Sequence, residues 1–356
     1  MASEVNAYSG LDRFLHKLAF ASPKIQLAAA DIEDSIFAKQ TAGTSDRNPV
    51  FVTSLPRAGT TVLLTALASL PGMASQTYRD MPFAMAPLFW SKISGSFQKG
   101  SELRERAHGD GIKVGYDSPE AFEEIIWRAF WPKKFTDDRI DLWRDGDSLN
   151  EAAVFFRKHF RKVSALRRGG SARYVSKNNA NIARLELIPK MFPDAKIVVP
   201  VRDPVEHAAS LLRQHNNFLA QHAEDAFVKR YMHDIGHLEF GELHRPIAFP
   251  GLAERLAGQD PKSLDYWLHY WIAAFEYVAE HQSGLILVSH EAMRSDGASM
   301  AERLLRALDI DGAGQLQEVA AHFEPQSGRA RLYPDHDASL RSEADALYQR
   351  LVSAGI

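Results

Sequence analysis

The chain contains no cysteine, and this absence excludes two kinds of structure. A disulfide framework and a thiolate metal site both require cysteines. The sequence also has no run of 18 apolar residues, the length that a membrane-spanning helix needs. No apolar stretch near the N-terminus resembles a secretion signal. We therefore expect a soluble, cytoplasmic protein with no transmembrane segment.

The chain also lacks a strong charge of either sign. Its 42 Lys and Arg and 45 Asp and Glu give a net charge of −3, so no bulk positive field attracts nucleic acid, and we expect no nucleic-acid partner. Internal repeats and low-complexity tracts are absent as well. Hydrophobic residues make up 45% of the 356 residues, which supports a substantial core in one large α/β domain with insertions, or in two domains.

The 14 histidines do not form a pattern typical of a metal site. His233 and His237 have the spacing of a helical ligand pair, but Gly236 lies between them and we interpret their surroundings as a loop. No carboxylate accompanies the pair at a matching position. We therefore expect no metal.

The most informative part of the chain is residues 50–65, VFVTSLPRAGTTVLLT. Val50–Thr53 has the pattern of a short buried strand, Ser54–Gly59 that of a tight turn, and an amphipathic helix is expected from Thr60 to about Leu70. A helix N-terminus carries partial positive charge, and turn amides can point at an anion. The segment therefore predicts an anion-binding site.

This turn differs from the loop that binds nucleoside triphosphates, G-x-x-x-x-G-K-[ST]. In the same frame Ser54 replaces the first glycine, Thr60 replaces the lysine, and Gly59 and Thr61 keep the second glycine and the Ser/Thr. Arg57, inside the turn, can supply positive charge in place of the lysine. The sequence thus indicates a phosphate-like ligand held without the usual magnesium-triphosphate arrangement.

Two later segments have the pattern of buried strands that end in a cationic residue. Ala195–Val201 precedes Arg202, and Ser210 follows eight residues later on the next helix. Tyr174–Lys177 is the second such segment, ending in Lys177. An arginine offers a fixed fork of donors to phosphate oxygens. Ligands of parallel α/β sheets bind at the carboxyl ends of the strands, where Arg57, Lys177 and Arg202 are all expected.

The rest of the pattern alternates helices with short apolar strands, which predicts an α/β fold: a three-layer parallel β-sheet flanked by helices, with helical insertions. We divide the chain into an N-terminal helical segment, 1–45, and a single domain, 46–356, with insertions at about 80–170 and 220–262. Further helices are expected at 10–40 with a break at Pro23, Pro119–Phe130, Asn150–Arg168, Asn181–Met191, Ser263–His281, 298–323 and 338–352, and further strands at Met73–Gln76 and Leu285–Ser289.

Pro56-Arg57-Ala58-Gly59-Thr60-Thr61 resembles the 5′-phosphosulfate loop of sulfotransferases, enzymes that use 3′-phosphoadenosine 5′-phosphosulfate (PAPS). The likeness is greatest to the tyrosyl-protein, carbohydrate and bacterial branch, which carries P-R-S-G-T-T, with Ala58 here in place of Ser. The Arg202–Ser210 pair and the Phe192-Pro193-Asp194-Ala195 turn that precedes it resemble the second half of the family signature. Asn178-Asn179 departs from it, since Pro or Asp-Pro is usual there.

The resemblance implies a P-loop nucleotide-binding type of fold and a set of roles. Arg57, Ala58, Gly59, Thr60 and Thr61 would hold the 5′-phosphosulfate, Arg202 and Ser210 the 3′-phosphate, and Lys177 and Arg57 would stabilise the bridging and sulfonyl oxygens. Arg329, in Ser327-Gly328-Arg329, lies where the family often returns a basic segment to the 3′-phosphate. PAPS would be the co-substrate, without a metal. The acceptor would be a small molecule, carbohydrate, lipid or peptide, and we interpret the insertion at about 80–170 as building its pocket. A homodimer is left open.

The general base is not settled by the sequence. In the tyrosyl-protein branch a glutamate about 21 residues after the loop arginine has this role, but position 78 here is Tyr. Asp80 is the nearest carboxylate, and its alternative role is to pair with Arg79 or to cap the helix after Pro82. Other candidates are His108, Asp110, Asp117, Glu123 and Glu124. Two other functions compete with sulfuryl transfer: a P-loop small-molecule kinase and an inactive nucleotide-binding protein.

Overall fold

The computed structural model describes residues 10–94, 104–105, 113–120, 122–311, 313–323 and 333–356. The strands in this part are β1 (Val50–Val52), β2 (Met73–Ala74), β3 (Arg104–Glu105), β4 (Lys113–Val114), β5 (Arg173–Lys177), β6 (Lys196–Val201) and β7 (Ile286–Ser289). The helices are α1 (Gly10–Ala19), α2 (Pro23–Ile36), α3 (Ala38–Thr41), α4 (Thr60–Ser69), α5 (Pro87–Ser94), α6 (Glu124–Phe130), α7 (Asn150–Arg168), α8 (Leu187–Met191), α9 (Pro204–Glu224), α10 (Ala226–Ile235), α11 (Leu252–Arg255), α12 (Leu264–Glu280), α13 (His290–Ser295), α14 (Gly297–Ala307), α15 (Ala313–Ala321) and α16 (Ala338–Ser353).

The main sheet has five parallel strands in the order β2-β5-β1-β6-β7, and β3 and β4 form a separate antiparallel pair. β1 lies at the centre, where Val52 is level with Lys177 of β5 and with Val198 of β6. Central strands of such a sheet are covered on both faces, so they carry continuous apolar runs. This register brings the ends of β1, β5 and β6 to one edge.

Helices cover both faces of the sheet, which gives the three layers expected from the sequence. Val50 and Val52 face a layer that contains α4, α14 and α15. Phe51 points to the other face, toward α7, α9, α12 and α16, where its ring meets those of Phe160, Tyr174 and Phe192. Because Phe51 is fully buried, truncating it to alanine would cost about 3–5 kcal/mol.

Helix α9 matters most for the site, and its first residues explain where it begins. Pro204 occupies the first turn, where a missing N–H costs nothing, and the Asp203 side chain accepts a hydrogen bond from the N–H of Glu206. The helix therefore starts two residues after Arg202. This fixes the position of Arg202 between the end of β6 and the start of the helix.

Several expected elements have different bounds in the structure. The helix expected from Pro119 starts only at Glu124, since Pro119 bridges to Thr77 and the N–H of Glu120 donates to Gln76. The helix expected from Asn181 to Met191 divides into a 3-10 turn, Asn179–Arg184, and α8, while Met73–Gln76 is a strand only at Met73–Ala74.

The interpretation of His233 as a loop residue was wrong. His233 lies in the last turn of α10, and Gly236 ends this helix with a positive φ of 84°. Within the described residues, no helix has both the length and the apolar character needed to cross a membrane.

Candidate functional site

The turn between β1 and α4 has a backbone that few residue types adopt. Arg57 has a φ of +75°, which is uncommon for a residue with a side chain and stores strain. Gly59 has a φ of +95° and directly precedes the first helical residue. A Cβ at this position would lie 3.0 Å from the His290 ring and 3.4 Å from Met293. The turn therefore requires glycine at position 59 for its conformation and for the available space.

The structure brings Arg57, Arg202 and Ser210 together, as the sequence predicts. The Nε of Arg57 donates to the Ser210 hydroxyl at 3.3 Å, and the Nη1 of Arg202 donates to the Arg57 carbonyl at 3.0 Å. Arg202 and Ser210 are nearly buried, and the second guanidinium nitrogen of Arg202 pairs with Glu206 at 2.9 Å. Two segments 145 positions apart thus form one cationic cluster beside the turn.

One N–H group of the Arg202 guanidinium has no hydrogen-bond acceptor among the described residues. This group, on Nε, is buried. A guanidinium N–H without a partner can donate to a further acceptor, such as an oxygen of a bound anion. A phosphate, with several acceptor oxygens, matches the donor set of Arg57, Arg202 and Ser210. The residues present therefore fit a phosphate-like anion.

The other predicted loop residues have distinct surroundings. Ala58 is fully buried. The Thr60 hydroxyl donates to the side-chain oxygen of Asn179 at 3.2 Å, while Thr61, in the first turn of α4, is partly buried. Asn179 also accepts, through its carbonyl, a hydrogen bond from Thr53. Hydrogen bonds therefore connect the turn and its flanking residues to the segment that follows β5.

These contacts account for the departure from the family pattern at Asn178-Asn179. The Asn178 side chain accepts from the N–H of Ala180 and donates to Glu124 at 2.6 Å. Asn178 thus caps the 3-10 turn, and Asn179 binds the loop through Thr60. Asparagine side chains commonly stabilise turns in this way.

Lys177 lies at the end of β5 and pairs with a carboxylate that the sequence did not single out. Its ammonium is 3.0 Å from an oxygen of Glu120, and the Tyr78 hydroxyl lies 3.3 Å from the other oxygen. Lys177 and Glu120 are both nearly buried. No local signal distinguishes Glu120 from its neighbours in the sequence, because it meets Lys177 only through the fold.

The other candidate carboxylates are engaged elsewhere. Asp80 is buried, pairs with Arg167, and accepts from the N–H of Thr77 in a capping box. Burial raises the pKa of Asp80, although Arg167 opposes the change. Glu123 accepts from Tyr174 and Asn181. These contacts tie each carboxylate to a neighbouring element rather than to Lys177.

The remaining candidates divide into two groups. Glu124 forms a two-pronged ion pair with Arg184 deep in the core, and Asp117 pairs with Arg79 at the surface. Arg79 is thus the partner of Asp117, not of Asp80. His108, Asp110 and Arg329 lie outside the described residues.

His207 was considered from the sequence only as one of many histidines, yet it contacts the loop directly. Its Nε2 is 2.7 Å from the Pro56 carbonyl, and its Nδ1 accepts from the indole N–H of Trp271 at 3.2 Å. The side chain is fully buried. Burial, together with the charge of Arg202, lowers the pKa of His207 to about 3. The ring is therefore neutral at physiological pH.

A narrow apolar cleft lies beside the turn. Its cavity volume is about 20 Å³, room for roughly one water molecule. Leu55 and Pro56 of the turn line one side, and both insertions expected from the sequence contribute, through Ile140 and through Leu238 and Ile247. No group of three or more potential metal-ligating side chains is found among the described residues.

Several solved sulfotransferases have a similar but distant fold. STF1 from Mycobacterium tuberculosis is 11% identical, with 97% of this chain and 86% of that chain covered and a TM-score of 0.49. STF9 from Mycobacterium avium is 12% identical, with coverages of 90% and 79% and a TM-score of 0.46. A sulfotransferase from Alicyclobacillus acidocaldarius is 14% identical, with coverages of 86% and 94% and a TM-score of 0.40.

No curated protein sequence matches the chain. The assignment depends instead on the family model for the sulfotransferase family, which matches residues 49–241. This range is more than half of the 356 residues, and it includes the turn, Lys177, Arg202 and Ser210. The chain therefore belongs to the sulfotransferase family.

Proposed function

We propose that the protein transfers the sulfuryl group of PAPS to a hydroxyl or amine acceptor. One observation carries this proposal: Arg57 of the turn contacts Ser210, and Arg202 contacts the turn. Two cationic segments that are distant in the sequence thus lie side by side. A donor with a phosphosulfate at one end and a 3′-phosphate at the other requires two adjoining anion sites. The missing lysine at position 60 disfavours a nucleoside triphosphate.

In this proposal each anionic group of PAPS has its own set of residues. The amides of residues 57–61 and the N-terminus of α4 bind the 5′-phosphosulfate, since both direct positive charge at it. Arg202 and Ser210 bind the 3′-phosphate with charge-assisted hydrogen bonds. Arg57 lies between the two sets and is shared.

The chemical step is an in-line displacement at sulfur. The acceptor oxygen or nitrogen forms a bond to sulfur while the bond from sulfur to the bridging oxygen breaks, and adenosine 3′,5′-bisphosphate leaves. Lys177 and Arg57 stabilise the negative charge that develops on the bridging and sulfonyl oxygens. Such positioned charges lower the barrier without any covalent role for the protein.

We propose Glu120, in preference to Asp80, as the base that accepts the acceptor's proton. The Glu120 carboxylate is 3.0 Å from the Lys177 ammonium, whereas Asp80 is occupied by Arg167 and by the Thr77 N–H. A base has to lie within hydrogen-bond reach of the proton that it takes. In this proposal Lys177 contacts a sulfonyl oxygen, and Glu120 beside it reaches the acceptor that approaches the sulfur.

Calorimetry of the whole chain with adenosine 3′,5′-bisphosphate, with ATP and with ATP plus magnesium tests the function. We expect tight binding of the bisphosphate, with and without EDTA, and weak binding of both forms of ATP. Preferred binding of magnesium-ATP would support a kinase instead. Bisphosphate binding without PAPS consumption, across phenols, sugars, lipids and tyrosine peptides as acceptors, would indicate an inactive nucleotide-binding protein.

The choice of base is tested by comparing Glu120→Gln with Asp80→Asn. If Glu120 is the base, Glu120→Gln lowers turnover by about 10²-fold or more, within the range of a lost general base. Bisphosphate affinity stays near that of the wild type. Asp80→Asn then changes mainly thermal stability. The reverse pattern would assign the role to Asp80.

A further inference from the structure

The carbonyl groups of the turn are held by side chains from elsewhere in the fold. The Pro56 carbonyl meets the Nε2 of His207 at 2.7 Å, and the Arg57 carbonyl accepts from Arg202 at 3.0 Å. His207 lies in the first turn of α9 and is fully buried. Two successive carbonyls of the turn thus face the same pair of elements, the end of β6 and the start of α9.

The partners of His207 fix its tautomer. A carbonyl only accepts, so Nε2 has to carry the hydrogen, and the indole of Trp271 only donates, so Nδ1 has to be unprotonated. Only a neutral ring satisfies both contacts. The pKa of His207, lowered to about 3 by burial and by Arg202, keeps the ring in this state.

Holding a carbonyl also orients the next amide. In a trans peptide the C=O and the N–H of one plane point in opposite directions. The contact from His207 to the Pro56 carbonyl therefore turns the Arg57 N–H away from α9. In the same way, the contact from Arg202 to the Arg57 carbonyl turns the Ala58 N–H away from the Arg202 side chain. Amides with this orientation form the concave donor set that binds a phosphate in such turns.

We propose that His207, itself oriented by Trp271, is a positioning residue that preorganises the turn for the 5′-phosphosulfate. The proposal rests on the proposed function, since it assumes that the turn binds this group. His207 does not touch the ligand; it acts through the backbone of the turn. The strained φ of Arg57 explains why such contacts are needed, because a strained backbone persists only when its surroundings hold it in place.

Three nucleotides separate this role from a general loss of structure. Adenosine 5′-phosphate probes the turn, adenosine 3′-phosphate probes Arg202 and Ser210, and adenosine 3′,5′-bisphosphate probes both. His207→Leu removes the donor and leaves the Pro56 carbonyl unpaired, so affinity for the two 5′-phosphorylated ligands falls by about 10-fold. Affinity for adenosine 3′-phosphate is unchanged.

His207→Gln supplies an amide N–H in place of the ring donor and restores part of the 5′-phosphate affinity. His215→Leu is the matched control, because His215 is a second buried histidine of α9, eight residues further on, whose Nδ1 accepts from the Gly241 N–H. This variant loses thermal stability but keeps the affinity for all three nucleotides. Should His207→Leu fail to fold, the comparison of His207→Gln with the wild type decides the same question.

A ¹⁵N spectrum of the wild-type ring gives a separate readout. The Nε2–H tautomer should persist without titration between about pH 5 and pH 8, as expected for a histidine whose pKa is far below its usual value. Equal affinity losses for the 3′- and 5′-phosphates, or no loss in His207→Leu, would overturn the proposal. If the wild type binds none of the three nucleotides, the proposed function itself fails.

Discussion

Arg202 offers the sharpest test of the binding site, because it makes two kinds of contact with different consequences. In the proposed complex it donates to the 3′-phosphate, and in the structure it donates to the Arg57 carbonyl at 3.0 Å. A hydrogen bond to a charged group contributes about 1.5–3 kcal/mol and a neutral one about 0.5–1.5 kcal/mol. Arg202→Ala removes both from the bisphosphate complex.

The predicted losses therefore differ between ligands. Affinity for adenosine 3′,5′-bisphosphate should fall by about 2–4.5 kcal/mol, and affinity for adenosine 5′-phosphate by only about 0.5–1.5 kcal/mol, the share of the loop contact. Ser210→Ala should weaken the bisphosphate by about 1 kcal/mol more than adenosine 5′-phosphate, because both complexes lose the contact with Arg57 and only the first loses a contact with the 3′-phosphate. The order of effects follows from which phosphate each side chain faces.

Isothermal calorimetry at fixed salt measures all of these affinities. Arg213→Ala is the matched control, since Arg213 lies on the exposed side of the same helix and its removal changes the net charge equally. Long-range electrostatics alone would weaken binding equally in Arg202→Ala and Arg213→Ala. Equal losses for the two ligands in Arg202→Ala would likewise refute the assignment of Arg202 to the 3′-phosphate.

Three further predictions concern the role of Lys177, the need for a metal and the effect of pH on stability. Lys177→Met should reduce turnover by about 10²-fold or more while bisphosphate affinity changes little, since its charge acts mainly in the transition state; a loss confined to binding would contradict this. EDTA should leave turnover intact, and restoration by magnesium of a lost activity would refute it. His159 is buried, and burial, with Lys162, lowers its pKa from 6.5 to about 3. The unfolded chain then binds a proton below pH 6.5 that the folded chain does not, so stability falls as pH decreases from 6.5 toward 3. Between pH 7 and pH 5 the wild type should lose about 1–2 kcal/mol more than His159→Phe in urea unfolding, and parallel pH profiles would refute this.

The local signals in the sequence predicted the sheet and its cationic edge well. β1, β5, β6 and β7 were all expected to within one residue. β1, β6 and β7 are short, mostly apolar runs, and β5 (Arg173–Lys177) was expected as a strand that ends in a lysine. The helix Asn150–Arg168 has the expected bounds as well. The errors fall where tertiary contacts override local pattern, as at Pro119, which bridges to Thr77 instead of starting a helix.

In the candidate site, too, local motifs were predictable and contacts between distant segments were not. The sequence predicted Arg57, Lys177, Arg202 and Ser210 as site residues, since each belongs to a short motif at a strand end or on the following helix. The sequence did not single out Glu120 or His207, which contact these residues or the turn in the structure. Both have partners that are distant in the sequence. Glu120 pairs with Lys177, and His207 contacts Pro56, which is 151 positions away.

The sequence by itself determined the parallel sheet, the turn at residues 54–59 and the cations at its carboxyl edge. These depend on interactions between near neighbours, such as the apolar strand pattern and the Asp203 cap of α9. Only the tertiary structure decided which carboxylate faces Lys177 and which side chain holds the Pro56 carbonyl. The sequence offers several carboxylates and 14 histidines with similar local surroundings, and the packing of distant elements selects one of each.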